Sequence, residues 1–309
     1  MAGASAAIAG DVNGDGKTDL VYCAYNTNTV VVQLGTGDGT FRPPTSFVSA
    51  PPGRSCGPAA IADVNADGRV DLLLASYAYP VGHSSNVYML AGAGDGSFGQ
   101  PVHAFDDPHT VGITALDLNS DGKPDLIVHW FDFEDVFRPS GSYVVIGNGD
   151  GTFGAPLGNA IPAIPQNNAE LVCCTNLNGD QHLDAVLGSL DGAHQIGAPV
   201  RRLYALLGNG DGTFRNAGVI FDRKPSSRSL GDFDGDGRVD VLVCPQLEPR
   251  MTLMLFGRGD GTSAAPVPAN LPEGSCGQAA DFNGDGRPDL VISSDTNVVV
   301  YLNKIERRP

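Results

Sequence analysis

Residues 11–20 read Asp11-Val-Asn-Gly-Asp-Gly-Lys-Thr-Asp19-Leu20, and five related copies begin at Asp63, Asp117, Asn176, Asp232 and Asp281. Each copy carries side-chain oxygens at positions 1, 3, 5 and 9. Those are Asp11, Asn13, Asp15 and Asp19 in the first, then Asp63, Asn65, Asp67 and Asp71, then Asp117, Asn119, Asp121 and Asp125. The later copies offer Asn176, Asn178, Asp180 and Asp184, then Asp232, Asp234, Asp236 and Asp240, and finally Asp281, Asn283, Asp285 and Asp289. The position-7 residues, Lys17, Arg69, Lys123, His182, Arg238 and Arg287, add a backbone carbonyl. Calcium takes about six to eight oxygens, mixing carboxylates, amide carbonyls and backbone carbonyls, so this spacing suits it. Gly16 at position 6 lets the loop reverse through a backbone angle that other residues resist. Decorative acids in turns would not recur at fixed offsets in six copies. Five strong calcium loops are expected, with a weaker one at Asn176–Asp184, which has one carboxylate fewer and Gln181 in place of the glycine.

The same opening occurs in EF-hands, but an EF-hand needs a glutamate at position 12 and helices on both sides. Position 12 here is Tyr22, Leu74, Val128, Val243 or Ile292. The loops run into short apolar runs such as Leu72-Leu-Leu74 and Val241-Leu-Val243, which read as buried strands. These are cation loops between strands.

Successive loops start 52, 54, 59, 56 and 49 residues apart in a chain of 309, which overrides a length-based prior of two domains. The formal charge is −16, and the loops hold eighteen of the 35 acidic side chains. Six divalent ions would bring that charge to −4, so metal binding and folding are expected to be linked. No Lys/Arg cluster resembles a nucleic-acid stripe, and no apolar run approaches the ~20 residues of a membrane span. Met1 to Gly10 lack the basic start and apolar core of a signal peptide. That leaves a cytosolic protein, or a secreted one whose signal has been removed. The calcium loops and the cysteines favour the extracellular reading, because cytosolic calcium would leave weak sites empty.

Each unit has one plan. A small-residue strand such as Ala6-Ala-Ile-Ala9 enters the loop, and an apolar strand leaves it. After a variable connection, a third strand such as Val30–Leu34 ends in Gly35-Thr-Gly-Asp-Gly-Thr-Phe41. Equivalents of this hairpin are Gly92–Phe98, Gly147–Phe153, Gly208–Phe214 and Gly257–Ser263, and the sixth copy lacks one. Glycines supply the turn angles, and the Phe is expected to pack between neighbouring sheets. A proline-rich stretch, read as an outer edge strand, leads to the next unit. Four antiparallel strands per unit, arranged radially, make an all-β propeller.

These units resemble FG-GAP/VCBS repeats, as found in integrin α-subunit propellers and Psathyrella-type fungal lectins, over nearly the whole chain. The resemblance implies a calcium-bearing propeller, one domain over residues 1–309, with units starting near 6, 58, 112, 171, 227 and 276. Six motifs favour six blades, although seven is common among relatives. The sixth unit ends at Asn303-Lys-Ile-Glu-Arg-Arg-Pro309, leaving little for an outer strand. An exposed edge there could pair with another chain.

Cys23 and Cys244 each lie twelve residues after their loop's first Asp, and Cys56 and Cys276 each precede the next loop. Equivalent positions across repeats predict Cys23–Cys56 and Cys244–Cys276 disulfides, the alternative being buried thiols. Cys173 and Cys174 form either a strained vicinal ring, usable as a ligand platform, or two separate thiols.

Long connections after the second strand carry Tyr77, Tyr79 and His83 in the second unit and Trp130, Asp132, Glu134 and Arg138 in the third. Together with Arg201 and Cys173-Cys174 they should share one face, opposite the calcium loops, where function concentrates. Aromatic and polar residues mixed in this way suit sugar stacking or a protein partner, against the alternative that each ring packs under its own loop. The expected function is therefore a secreted calcium-binding module, for carbohydrate first and otherwise an extracellular protein partner. An enzyme such as a polysaccharide lyase would have to draw on Tyr77, Tyr79, His83 and Arg201, which nothing in the sequence aligns.

Overall fold

A computed structural model describes residues 4–24, 29–48, 54–78, 86–106, 110–130, 141–162, 169–191, 200–223, 225–245, 251–269, 271, 277–281, 283, 285–293 and 298–304. No helix occurs among them; every regular element is a strand. The first sheet comprises β1 (Ala4–Gly10), β2 (Asp19–Ala24), β3 (Thr29–Gln33) and β4 (Thr45–Val48). The second holds β5 (Arg54–Ala62), β6 (Asp71–Ala78), β7 (Asn86–Leu90) and β8 (Val102–Asp106). The third holds β9 (Thr110–Leu116), β10 (Asp125–Trp130), β11 (Gly141–Gly147) and β12 (Phe153–Leu157). The fourth holds β13 (Ala169–Thr175), β14 (Asp184–Asp191), β15 (Val200–Gly208) and β16 (Phe214–Phe221). The fifth holds β17 (Pro225–Gly231), β18 (Asp240–Pro245), β19 (Leu253–Leu255) and β20 (Val267–Pro268). The sixth has three strands, β21 (Gly277–Ala280), β22 (Asp289–Ser293) and β23 (Val298–Tyr301). The six first strands begin within a few residues of the expected unit starts.

In every sheet consecutive strands are antiparallel neighbours, so each is a simple meander. Antiparallel order puts the loop between first and second strands at the same end as the third-to-fourth hairpin, and the second-to-third connection at the other. Burial follows the order of the strands. Leu72, Leu73 and Leu74 of β6 and Leu126, Ile127 and Val128 of β10 are essentially inaccessible. The fourth strands β4, β8 and β12 are mostly exposed. A strand covered on both faces reads as an unbroken apolar run, as β6 and β10 do, whereas β2 alternates between buried and partly buried positions.

The chain forms two compact units, residues 1–161 with 211–213 and residues 162–210 with 214–309. In the first, side chains from facing sheets fill each junction. Val12, Val21 and Val32 meet Leu72, Leu90 and Phe98 between the first and second sheets. Val64, Met89 and Phe105 meet Leu126 and Phe153 between the second and third. The hairpin phenylalanines thus do pack between sheets, each edge-on to a ring from a fourth strand: Phe98 against Phe47 at 6.2 Å and Phe153 against Phe105 at 6.0 Å. Such pairs contribute about 0.5–1.5 kcal/mol beyond the area they bury. Phe41 departs from the pattern, being 40% exposed. In the second unit Leu177, Val186, Leu203 and Phe221 pack on Val241, Val243 and Leu255. Phe233, Met254 and Phe256 pack on Leu290.

Candidate functional site

Each loop is anchored by its position-9 aspartate. Asp19, Asp71, Asp125, Asp184 and Asp289 are 0% exposed and Asp240 1%. Burying a carboxylate is costly unless hydrogen bonds satisfy it, and here two backbone donors do so. One oxygen accepts the position-2 N–H: Val12 to Asp19 at 2.9 Å, Val64 to Asp71 at 3.1 Å, Leu118 to Asp125 at 3.0 Å, Leu177 to Asp184 at 2.6 Å and Phe233 to Asp240 at 2.9 Å. The other accepts the first N–H of the hairpin, from Gly35, Gly92, Gly147, Gly208 and Gly257 at 2.8–2.9 Å. In the sixth sheet Asn303 replaces that glycine and donates to Asp289 at 2.7 Å. One side chain therefore ties loop, second strand and hairpin into a single node.

The hairpin glycine is required by close approach. A Cβ on Gly35 would stand 2.2 Å from the Thr18 carbonyl oxygen, and one on Gly92 2.0 Å from that of Val70. The position-7 side chain lies along the next hairpin glycine, so that the Lys17 stem is 3.2 Å from where a Cβ on Gly37 would be.

At the loop's other end the position-1 aspartate collects backbone donors. Asp11 accepts the N–H of Gly14 and of Gly16, both at 2.7 Å. The hydrogen bond from Gly16, foremost among several from the loop backbone, holds its carboxyl below the usual range. The Gly68, Gly122, Gly237 and Gly286 amides repeat the position-6 bond to Asp63, Asp117, Asp232 and Asp281 at 2.8–2.9 Å. The position-5 aspartates face the same way and accept the position-7 N–H. Their partners Lys17, Arg69 and Arg238 approach at 3.4–3.8 Å in partly exposed ion pairs, which are worth about 0–1 kcal/mol.

The fourth and fifth loops differ most. Asn176 accepts the Gly179 N–H at 2.7 Å; its amide nitrogen stands where the other copies have a second accepting oxygen. Gln181 takes the left-handed backbone its glycine counterparts use, with φ of 74°. In the fifth loop an oxygen of Asp232, one of Asp234 and one of Asp240 lie within 4.8 Å of one another. Burial, reinforced by neighbouring carboxylates, pushes the Asp240 carboxyl up to about 6 against the bonds from Gly257 and Phe233. Burial likewise raises Asp71, Asp125 and Asp184. Elsewhere the position-3 amide sits between carboxylates, Asn65 reaching Asp67 at 3.3 Å and Asp71 at 3.4 Å. Carboxylate and amide oxygens gathered on one turn are the kind of donor set that suits a hard cation. Among the described residues three carboxylates converge only in the fifth loop; in the others the backbone bonds above draw the position-1, -3 and -5 side chains onto one turn.

On the opposite ends of the sheets, Trp130 is partly buried and pairs with Gly141 across β10 and β11. Its indole nitrogen is 3.0 Å from where a Cβ on Gly141 would stand, so the ring lies over bare backbone. Tyr79, His83, Asp132, Glu134 and Arg138 lie outside the described residues, as do the side chains of Tyr77, Arg201 and Cys173. Cys174, opposite Ala185 in β13, carries a thiol, which corrects the vicinal-ring alternative at this pair. Cys23 and Cys244 are buried. Cys276 and the side chain of Cys56 lie outside the described residues.

Sequence reading missed two features. The position-2 side chain, apolar in every copy, is a buried wedge, with Val12 and Val64 at 2% exposure. The position-9 carboxylate is a strut as well as a candidate ligand; the signal was its recurrence with a downstream glycine in five of the six copies.

The sequence profile of FG-GAP-like repeats matches residues 11–74, 63–128 and 176–243, more than half of the chain. The chain belongs to the FG-GAP-like repeat family. No curated protein sequence matches it significantly. Among solved structures this FG-GAP protein is similar to a lectin of Agrocybe aegerita that recognises non-reducing terminal N-acetylglucosamine. That likeness has 18% identity, a TM-score of 0.65, and covers 97% of this chain and 77% of that one. It is also similar to an α-L-arabinanase of Penicillium chrysogenum complexed with arabinobiose, at 13% identity and a TM-score of 0.58, covering 96% and 92%. The fold is that of a β-propeller.

Proposed function

We propose that this FG-GAP propeller is a secreted, calcium-stabilised module that binds carbohydrate. The observation that carries the sugar-binding reading is Trp130, held over Gly141 at the end of β10 that leads into the aromatic and acidic segment 131–138. A flat indole followed in sequence by carboxylates and an arginine suits a sugar, whose apolar face stacks on the ring while its hydroxyls take hydrogen bonds. Both the lectin and the arabinanase that resemble this chain hold saccharides on the same fold, which supports the reading without fixing the sugar. The position-1, -3, -5 and -9 side chains and the position-7 carbonyl would hold the calcium, which supplies charge neutralisation at the loop node. Sites of this kind suit an extracellular calcium supply, and disulfides at Cys23 and Cys244 would suit an oxidising compartment. Cys56 and Cys276 are their proposed partners.

A glycan array probed with calcium-loaded protein, alongside Trp130→Ala, tests the sugar site. Binding of a restricted glycan set, weakened at least tenfold by Trp130→Ala with little change in Tm, is expected. Absence of glycan binding by the calcium-loaded parent overturns the carbohydrate reading.

A further inference from the structure

The hairpin of the third sheet, Gly147 to Phe153, stands between two cation loops and is held by both. Towards its own sheet, the Gly147 N–H donates to Asp125 at 2.9 Å, and the stem of Lys123 lies 2.8 Å from where a Cβ on Gly149 would be. Lys123 and Asp125 are positions 7 and 9 of the third loop. Towards the second sheet, the Gly151 N–H donates to the carbonyl of Val64 at 2.9 Å. A Cβ on Gly151 would stand 3.8 Å from that of Asn65 and 2.7 Å from the Met89 Cε, and its φ is 83°, so only glycine fits this approach. Val64 and Asn65 are positions 2 and 3 of the second loop, and the Val64 N–H is itself bound to Asp71 at 3.1 Å. A continuous path therefore runs from the strut Asp71 through Val64, Gly151 and Gly147 to the strut Asp125.

This link is not common to all the hairpins. Gly96, the same position in the second sheet, rests on the Leu34 side chain, 2.7 Å from where its Cβ would be, and makes no backbone bond to the first loop among the described residues. In the second unit Gly261 likewise lies on Leu207. There the position-2 carbonyl of the fifth loop, that of Phe233, accepts the Asn303 side-chain amide at 2.7 Å. The Asn303 backbone N–H goes to Asp289 of the sixth loop, also at 2.7 Å. The same carbonyl is thus the docking point at two junctions, reached by different chemistry.

We propose that these contacts couple neighbouring cation loops, so that the second and third fill cooperatively, as do the fifth and sixth, while the first fills independently of the second. The inference rests on the calcium reading of the loops. An empty loop holds several carboxylates together, and their repulsion loosens the turn; a cation reverses this. Once the third loop is ordered its hairpin is fixed, and the Gly151 bond then fixes the backbone of Val64 and Asn65 that presents the second loop's donors. The second ion meets a turn whose ordering is already in place, which is positive cooperativity without a change of shape. Linkage makes the effect reciprocal.

The test uses the full chain titrated with calcium, following the amides of Gly16, Gly68 and Gly122 by NMR. Asp117→Asn with Asp121→Asn empties the third loop while leaving an oxygen on each side chain for the turn's backbone donors. Binding at Gly68 should weaken at least about fivefold, the low end of ordinary coupling, with binding at Gly16 unchanged and hydrogen exchange of the Gly151 amide accelerated. Asp63→Asn with Asp67→Asn should weaken the third loop by the same factor. Asn303→Ala removes the side-chain bond and keeps the backbone one, so in that variant the fifth loop should no longer respond to Asp285→Asn in the sixth. A second loop unaltered when the third is emptied overturns the proposal and leaves the calcium reading standing. Equal weakening at Gly16 and Gly68 overturns it as well, because it reports a general loosening of the sheets. A fifth loop that still responds in Asn303→Ala overturns the coupling at that junction. No calcium response at any of the three amides in the parent overturns the calcium reading, and the coupling with it.

Discussion

The fourth and fifth loops occupy the same place in successive repeats, share the buried strut at position 9 and the same hairpin chemistry, and differ in what they present to a cation. The fifth gathers three carboxylates within 4.8 Å. The fourth has two acidic residues in all, an amide at position 1 and Gln181 in left-handed backbone. The strut and the ligand shell are thus separable. A repeat can keep its fold through Asp184, Leu177 and Gly208 while its proposed metal donors are lost.

Removing calcium should have the largest effect. A site held at a hundredfold over its Kd adds about 2.7 kcal/mol, so several loops filled as proposed would together dominate the stability. Excess chelator should lower Tm steeply under non-reducing conditions. A calcium titration followed by the amides of Gly179 and Gly235 should fill the fifth loop before the fourth. Simultaneous filling would break the distinction between them.

Next comes the strut. Asp184→Ala and Asp240→Ala each strip two buried N–H donors of their acceptor, at about 1–3 kcal/mol per donor. Urea unfolding in chelator should show similar losses for both variants, because the strut acts without metal in either loop. A loss confined to Asp240→Ala would mean that the carboxylate acts only through the ion.

Repairing the fourth loop should have smaller effects. Gln181→Gly removes a left-handed non-glycine residue and should stabilise the apo protein by about 1 kcal/mol. Asn176→Asp restores the acceptor that Gly16 finds in Asp11 and should tighten calcium at that loop at least tenfold by calorimetry. No change in either would place the defect elsewhere.

The smallest effect concerns the hairpins. Hydrogen bonds from the Thr213 and Thr262 side chains, with their backbone amides, lower the Asp211 and Asp260 carboxyls below the ordinary 3.8. A lowered folded value means a contribution that is complete above the unfolded value and is lost as pH falls through the folded one. Carboxyl-carbon NMR titrations should therefore give both residues midpoints below 3.8, alike in the two repeats. A normal midpoint at one of them would show that the difference between loops spreads into the hairpin.

Much of this molecule could be read before it was seen. Local spacing alone determined the six loops, because ligands and turn-formers at positions 1 to 9 are set by short-range geometry. It also determined the strands, since an unbroken apolar run such as Leu72-Leu-Leu74 has no other economical place than a doubly covered sheet. Only the tertiary structure decided the double use of the position-9 carboxylate, whose hairpin donor lies 16 to 24 residues away. The seat of Trp130 on Gly141 was decided there as well. These depend on which strands become neighbours across a sheet, and no local pattern encodes that.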